Sequence, residues 1–375
     1  MQITTSRNPE IPALTGIRAL AAWWVALYHI KDGLAVLYPG LAGTIYAAVW
    51  AGDLGVDLFF ILSGFVIAYN YWPRFLVFRA TEYRHFLWMR LARIYPVHVV
   101  TLLGVLALYL GSKVLHVHIN TDVTNWTAST FVHNLVLIHQ WVPHAEASWN
   151  GPAWSISCEW LAYLFFPAVV LATAARGNAS VAGSTAFLSL LTLGIFYQSG
   201  HDNRIVRIAL EFPAGCMIYC LFRAGHLAGK RAASIIPAAV LGLAGVLLIS
   251  SHSAVSRYWA VFPLALFVYG TSVDSGIAAR LLGSRYAVLW GKASYSLYMT
   301  HVLTMMVLGK VAPFDVYRDA NIWSRIAIGA VWISLFGLVA LLMYRLVEEP
   351  ARRWMHGAAA RRKSEPAAAC LAGKI

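Results

Sequence analysis

Residues 53–72 read DLGVDLFFILSGFVIAYNYW, an apolar stretch whose only charged side chains are Asp53 and Asp57. A helix of about 20 apolar residues crosses the roughly 30 Å hydrocarbon core of a bilayer. Similar stretches recur along almost the whole chain, which has 375 residues, 59% of them hydrophobic and only 12% charged. A soluble domain of this composition would leave large apolar patches in water. The sequence therefore predicts an all-α, polytopic helical membrane protein.

Ten stretches are long and apolar enough to be predicted spans. They are residues 13–31, 53–72, 94–112, 153–172, 182–199, 206–222, 235–251, 258–273, 287–309 and 324–346. Segment 129–142 is also apolar, but with about 14 residues, two histidines and Asn134 it is short for a span. We expect it to be an interfacial or re-entrant piece on the external side.

The basic residues set the predicted topology. The chain has 29 Lys and Arg residues against 16 Asp and Glu, a formal net charge of +13. If segment 129–142 does not cross, all five basic clusters fall on one side, which the positive-inside rule makes cytoplasmic. We therefore expect ten transmembrane helices, both termini in the cytoplasm, and a multi-pass position in the bacterial inner membrane. No basic soluble segment is long enough to form a nucleic-acid-binding domain, so no nucleic-acid partner is expected.

One domain is predicted over residues 1–350, followed by a basic, disordered cytoplasmic tail over residues 351–375. Glu348-Glu349-Pro350 should close the last helix, because proline disfavours helical conformation in the residue before it. The first apolar run contains Arg18 and lacks a small-residue cleavage site, so we expect it to remain as a span. The four cysteines show no metal-ligand spacing.

Two ionisable residues, Arg18 and His29, lie inside the first predicted span. Such groups are costly in a bilayer unless they are paired or hydrated, so they are functional candidates. Their spacing of eleven residues puts both on one helix face, about 16 Å apart along the axis. Arg18 then lies towards the cytoplasm and His29 near the outer surface. The alternative is that Arg18 snorkels to the inner headgroups and His29 only marks the outer boundary.

Three further spans carry an ionisable residue at a depth similar to that of His29, namely Asp57, Glu159 and His301. We expect the four side chains to share a cavity in the outer leaflet rather than to form four separate structural pairs. A histidine can take a proton from a hydroxyl, while a carboxylate orients it and stabilises the imidazolium. No paired metal-ligand spacing such as H-x-x-x-H occurs within a helix, so no metal site is predicted. His133, His139 and His144 are expected to be satisfied or solvent-facing.

At the cytoplasmic side, Arg90 and Arg93 share a helix face at the start of the third predicted span. Guanidinium groups bind phosphates bidentately, so together with Arg18 they could hold the phosphates of a nucleotide-bearing donor. The alternative is that they are positive-inside anchors. At the outer face, Trp141, Trp149, Trp154 and Trp160 suit either stacking on sugar rings or an interfacial belt.

Five motifs resemble, in order, those of the acyltransferase-3 family of integral membrane acyltransferases, which modify bacterial surface glycans, nodulation factors and some antibiotics. They are Arg18-x10-His29, GVDLFFILSGF at residues 55–65, Arg90-x-x-Arg93-Ile94-x-Pro96, Asn150-x-Pro152-x-Trp154-Ser155-x-Ser157-x-Glu159, and Ser294-x-Ser296-Leu297-Tyr298-x-x-His301. The resemblance covers roughly residues 10–350.

The resemblance implies that Arg18 and His29 are the essential catalytic pair and that Arg90 and Arg93 face acyl-CoA. Asp57, Glu159 and His301 match other motif positions and are expected in the catalytic site. The implied co-substrate is cytoplasmic acyl-CoA, in most members acetyl-CoA, with no permanently bound cofactor. The implied acceptor is a glycan, oligosaccharide or lipid-linked sugar.

Two functions remain open from the residues themselves. In the first, His29 activates an acceptor hydroxyl that attacks the thioester, or itself carries the acyl group as an intermediate. In the second, the chain is a transporter or channel whose buried charges form a proton relay or substrate path. The sequence shows no inverted repeat and no pair of interrupted helices, which favours the acyltransferase.

Overall fold

The computed structural model describes residues 8–41, 44–117, 122–142, 148–174, 179–225 and 232–358. This part of the chain is helical throughout, apart from turns and short connections. The helices are α1 (Pro12–His29), α2 (Lys31–Leu37), α3 (Thr44–Trp50), α4 (Leu54–Tyr71), α5 (Ala80–Val114), α6 (Ala128–Leu135), α7 (Trp154–Ala174), α8 (Ala179–Gln198), α9 (Arg204–Arg223), α10 (Ala232–His252), α11 (Val261–Val273), α12 (Ile277–Leu282), α13 (Arg285–Val311) and α14 (Ile322–Met343).

Every predicted span coincides with a helix. Among the described residues, seven helical segments are long and apolar enough to cross a bilayer, or eight if α1 and α2, which bend by 66° at their junction, count as one span. A multi-pass helical membrane protein is thereby confirmed. The predicted spans 258–273 and 287–309 correspond to α11, which has only 13 residues, and α13, which buries many polar side chains. The count of ten spans and the side of the termini stay predictions.

Segment 129–142 forms only the short helix α6 and a turn. Eight residues of helix rise about 12 Å, far less than the bilayer core requires. Asn134, His139 and Gln140 are buried, so the segment packs onto the helices rather than extending away from them. This geometry agrees with the prediction that the segment does not cross.

One predicted helix end is wrong, and one helix extends beyond its predicted span. Helix α5 begins at Ala80, fourteen residues before residue 94, so Arg90 and Arg93 lie within one continuous helix. Glu348-Glu349-Pro350 does not close the last helix, because a π turn over Tyr344–Glu348 follows α14 and the helix then continues to residue 358. In a regular helix, proline clashes with the carbonyl four residues earlier. The wider π turn displaces those carbonyls just before Pro350, so the helix can continue.

Two closely packed helix pairs, α1 with α13 and α4 with α9, hold Arg18, His29, His301 and Asp57, whereas Arg90 and Arg93 lie on α5 and Glu159 on α7. Gly291 of α13 lies against the backbone carbonyl of Thr15, so any larger side chain there would overlap α1. Gly64 and Gly215 make the same kind of contact between α4 and α9. Small residues let membrane helices approach closely. The close approach brings polar side chains of each pair within bonding distance.

Candidate active site

A cavity inside the helix bundle brings together the three arginines predicted to face the donor. Arg18, Arg90 and Arg93 all line it, with Glu159. The cavity has a volume of about 90 Å³, and mainly apolar and aromatic side chains of α4, α5, α7 and α13 form the rest of its wall. Helices far apart in the sequence thus form one cavity lined by positively charged side chains, which we call the arginine cavity.

Two of these arginines keep an unneutralised charge. The Arg18 guanidinium donates to the Ser294 hydroxyl at 3.3 Å, and Arg90 donates to the Tyr71 hydroxyl at 3.0 Å. Neither forms an ion pair with a carboxylate within 4.0 Å in the described part of the chain. Guanidinium groups without a carboxylate are available to bind phosphate oxygens. The arginine cavity is therefore suited to an anionic ligand.

Arg93 differs, because it forms an ion pair with the buried Glu348. The other Glu348 oxygen accepts a hydrogen bond from the Ser296 hydroxyl at 2.6 Å. Glu348 was not predicted as a site residue, because its position shortly before Pro350 indicated only the end of a helix. Arg352 was predicted to lie in the tail, whereas this residue interacts electrostatically with Arg18 and Arg93.

Glu159 lies in the arginine cavity and not beside the histidines. One of its carboxylate oxygens accepts hydrogen bonds from the Ser63 hydroxyl at 2.6 Å and the Tyr163 hydroxyl at 2.5 Å. Arg18 interacts with it electrostatically. Glu159 therefore belongs to the wall of the arginine cavity.

Asp57 is bound by an arginine that the sequence analysis did not single out. Arg207 on α9 donates from Nε to one oxygen of Asp57 at 2.7 Å, and its Nη2 contacts the other oxygen. Both residues are buried, and Glu211 lies one turn after Arg207 on the same helix. Arg207 and Glu211 lie inside the predicted span 206–222. Because ionisable side chains are energetically costly in a bilayer, their position in the sequence could have identified them as candidates.

His29 and His301 form a pair with ring centroids 4.7 Å apart. The Nδ1 of His29 lies 2.8 Å from the Val25 carbonyl, and the Nδ1 of His301 lies 2.7 Å from the Tyr298 carbonyl. A carbonyl only accepts, so in each neutral ring Nδ1 carries the hydrogen and Nε2 keeps its lone pair. His29 is half-buried, whereas His301 is fully buried. Each neutral histidine thereby has an unprotonated Nε2.

Tyr298 connects the histidine pair to the arginine cavity. Its ring lines the cavity and lies 5.9 Å from the ring of His301. Its hydroxyl is fixed by Ser155 at 2.8 Å and by the Pro152 carbonyl at 3.0 Å. A ligand bound by the arginines and extending along α1 would pass this tyrosine before it reached His29.

The prediction of one cavity shared by His29, Asp57, Glu159 and His301 is therefore wrong. The structure brings the two histidines together, places Glu159 with the arginines and closes Asp57 onto Arg207. Depth along a helix axis can be derived from the sequence, but the rotation of each helix and the nearest polar partner cannot. The catalytic roles of the individual residues stay predictions.

Of the three histidines predicted to be satisfied or solvent-facing, the described part of the chain includes His133 and His139. Burial lowers the pKa of His139 to about 4, so this side chain is neutral near pH 7, and its ring lies parallel to that of His98 at 6.3 Å. His133 is half-buried, and His144 lies outside the described residues. Within the described ranges, no group of three or more His, Cys, Asp or Glu side chains could hold a metal ion.

The tryptophans at the outer face are buried or half-buried and contact neighbouring groups of the fold. Trp149 is buried and stacks on Trp126 with ring centroids 5.3 Å apart. Trp154 contacts the guanidinium of Arg204 at 5.0 Å. The Trp141 indole donates to the Ser157 carbonyl at 2.9 Å, and Trp160 packs against the core. These four side chains hold segment 129–142 and helix α7 in place.

Comparison with known proteins shows which family this sequence belongs to. A family described as an acyltransferase domain matches residues 11–345. The acyltransferase MdmB of Streptomyces mycarofaciens is 26% identical, over 92% of this chain and 93% of the relative. The O-acetyltransferase OatA of Staphylococcus aureus is 24% identical over 92% of this chain, which spans 57% of the length of OatA. No solved structure matches. The chain therefore belongs to the acyltransferase-3 family and is a membrane O-acyltransferase.

Proposed function

We propose that this enzyme transfers an acetyl group from cytoplasmic acetyl-CoA to a hydroxyl of an extracytoplasmic or lipid-linked glycan in the bacterial inner membrane. The observation that carries the proposal is the distribution of charge along α1. Arg18 contributes an unneutralised guanidinium to the arginine cavity, and His29, about 16 Å further along the same helix face, presents a free Nε2. The two ends of one helix thus suit the two ends of a long thioester donor.

In this proposal the arginine cavity holds the charged end of the donor. Arg18 and Arg90 bind its phosphates, and Arg93 contributes to the positive charge while Glu348 fixes its position. The extended pantetheine arm of coenzyme A is comparable in length to the Arg18–His29 offset. The arm passes Tyr298 and places the thioester beside the histidine pair.

His29 is the general base in the transfer. Its Nε2 removes the proton from the acceptor hydroxyl, whose oxygen attacks the thioester carbonyl carbon. The new C–O bond forms as the C–S bond breaks, and the thiolate of CoA leaves and receives the proton from His29. The hydrogen bond from Nδ1 to Val25 holds the ring in the tautomer that this step requires.

The name of one relative supports the choice of acetyl group. OatA is named an O-acetyltransferase, and MdmB an acyltransferase without a stated acyl group. Membership of this family also favours an enzyme over the transporter that the sequence left open.

The proposal is tested by mass spectrometry of glycans and lipid-linked sugars from the host with and without this chain. We expect loss of the chain to remove an acetyl increment from one glycan class, and re-expression to restore it. Purified protein in detergent should also transfer labelled acetyl from acetyl-CoA to an extract of that glycan. An unchanged glycan profile, together with no turnover of acetyl-CoA, would contradict the proposal.

A further inference from the structure

A second opening lies where α3 and the end of α10 meet the turn Arg257–Ala260. Its volume is about 350 Å³. Its wall combines aromatic rings, hydroxyl groups and one guanidinium, contributed by Trp50, Tyr258, Ser250, Ser251, Ser256 and Arg257. By the predicted topology this opening is on the external side, the side to which His29 points. We call it the Trp50 pocket.

Trp50 supplies an accessible aromatic surface, in contrast to the four outer tryptophans described above. Its side chain is 38% exposed. The ammonium of Lys31 lies 4.6 Å from the ring centroid and helps to hold the indole in place. An indole that is held by a cation and open to the pocket is a rigid, amphipathic platform for a flat apolar surface.

The polar groups of the pocket offer both donors and acceptors. Arg257 uses Nη2 to bind Asp53 at 2.8 Å and keeps further N–H groups. The hydroxyls of Ser250 and Ser251 donate to backbone carbonyls of α10, so each oxygen can still act as an acceptor, although that of Ser251 also lies 3.4 Å from the Nδ1 of His252. Asp53 is occupied by Arg257 and by the Tyr258 hydroxyl at 3.2 Å. This combination suits a neutral molecule rich in hydroxyl groups, since each hydroxyl both donates and accepts.

A short series of contacts connects the Trp50 pocket to the histidine pair. The ammonium of Lys31 lies over Trp50 and also over Tyr28, at 4.5 Å from the latter ring. Tyr28 in turn packs edge-on against His29, with ring centroids 5.3 Å apart. The pocket is therefore linked to the proposed base through the side chains of Lys31 and Tyr28.

We propose that the Trp50 pocket binds a sugar unit of the acceptor glycan adjacent to the unit whose hydroxyl is acylated. The apolar face of the sugar ring stacks on Trp50, and its hydroxyls bond to Arg257 and the serines of α10. This inference rests on the proposed function, because it assumes a glycan acceptor. The pocket makes Trp50 a specificity-determining residue that positions the acceptor without taking part in proton transfer.

The test uses the full chain in detergent, acetyl-CoA with a labelled acetyl group, and a glycan fraction extracted from host membranes that lack this chain. Trp50→Ala should raise the acceptor KM about tenfold, while kcat and the KM for acetyl-CoA stay within about twofold, because uniform binding is lost. Trp50→Phe keeps an aromatic face and should stay within about threefold of wild type. Trp323→Ala is the matched control, since this tryptophan is 76% exposed and outside the pocket.

An acceptor KM that does not change in Trp50→Ala would overturn the pocket while leaving the proposed function intact. A lower kcat and a higher acetyl-CoA KM in both Trp50 variants would also overturn it, because Trp50 would then be only a structural support. If the wild-type enzyme transfers nothing to the glycan fraction, the proposed function itself fails and the pocket proposal fails with it.

Discussion

The bundle contains two clusters of buried arginine charge with opposite arrangements. In the first, Arg207 is closed onto Asp57, and both side chains are shielded from solvent. In the second, Arg18 and Arg90 line a cavity and bond only to neutral hydroxyls. Both clusters consist of residues that a bilayer tolerates poorly. A buried charge that is paired within the protein contributes to its structure, whereas a charge that faces a cavity without an ion pair can bind an anionic ligand.

This difference explains why a sequence motif alone does not define a site. Asp57 and Arg18 both match motifs of the family, but only Arg18 faces the cavity. The contrast predicts two classes of variant. Substitutions in the Asp57–Arg207 pair should act on the amount and stability of the protein, and substitutions in the cavity should act on donor binding.

The largest effect on stability is expected for Asp57→Asn. The amide keeps the shape of the side chain but removes the carboxylate that binds Arg207, so that Glu211 is the acidic group left beside this buried cation. Breaking a buried ion pair in this way costs roughly 3–5 kcal/mol. We expect little inserted protein and a lower Tm in detergent, measured by immunoblot of membranes and by thermal unfolding. The double variant Asp57→Asn with Arg207→Met removes both charges and should recover much of the inserted protein. A single variant that inserts and unfolds like wild type but has lost kcat would make Asp57 catalytic instead.

Arg90→Lys should weaken donor binding without affecting insertion into the membrane. Lysine keeps the charge but loses the bidentate fork of the guanidinium. We expect normal insertion and a KM for acetyl-CoA raised about tenfold, equivalent to the loss of about 1.4 kcal/mol of binding. Arg353→Lys serves as the matched control, because Arg353 is exposed and paired with Glu349 at the surface. A KM equal to that of wild type would assign Arg90 to membrane anchoring.

A smaller effect is expected for Glu348→Gln. The substitution releases Arg93 from its carboxylate partner, so the guanidinium is no longer fixed at the cavity wall. We expect a KM for acetyl-CoA raised about three- to fivefold with a modest fall in Tm, because Arg93 keeps contact with the cavity. Glu349→Gln alters only the surface pair with Arg353, which contributes little to stability. Equal effects of the two substitutions would show that Glu348 has no special role.

Much of the fold could be predicted from the sequence, because apolar length and basic clusters act locally. The common face of Arg18 and His29 follows from helix geometry alone. The partners of the carboxylates could not be predicted in the same way. Asp57 and Glu159 lie at similar depth, yet helix rotation turns one towards Arg207 and the other towards Ser63 and Tyr163.

Rules based on neighbouring residues could not predict the π turn either. Pro350 normally signals the end of a helix. Packing places Glu348 against Arg93 and Ser296, and the helix accommodates the proline through one wide turn. The rule for proline considers only neighbouring residues, and it includes neither the wide turn nor the contacts of Glu348 with Arg93 and Ser296.

The role of His29 is the central claim, and His29→Gln tests it most directly. Glutamine keeps the size and hydrogen bonding of the side chain, but an amide cannot accept the proton at neutral pH. The measurement is transfer of labelled acetyl to glycan in membranes, normalised to inserted protein, with His133→Gln as the control. We predict a fall in kcat of about 10²–10⁴-fold with acetyl-CoA binding retained, and a control within a few-fold of wild type. A glutamine variant that keeps most of its activity would contradict the account and make His301 the leading candidate for the base.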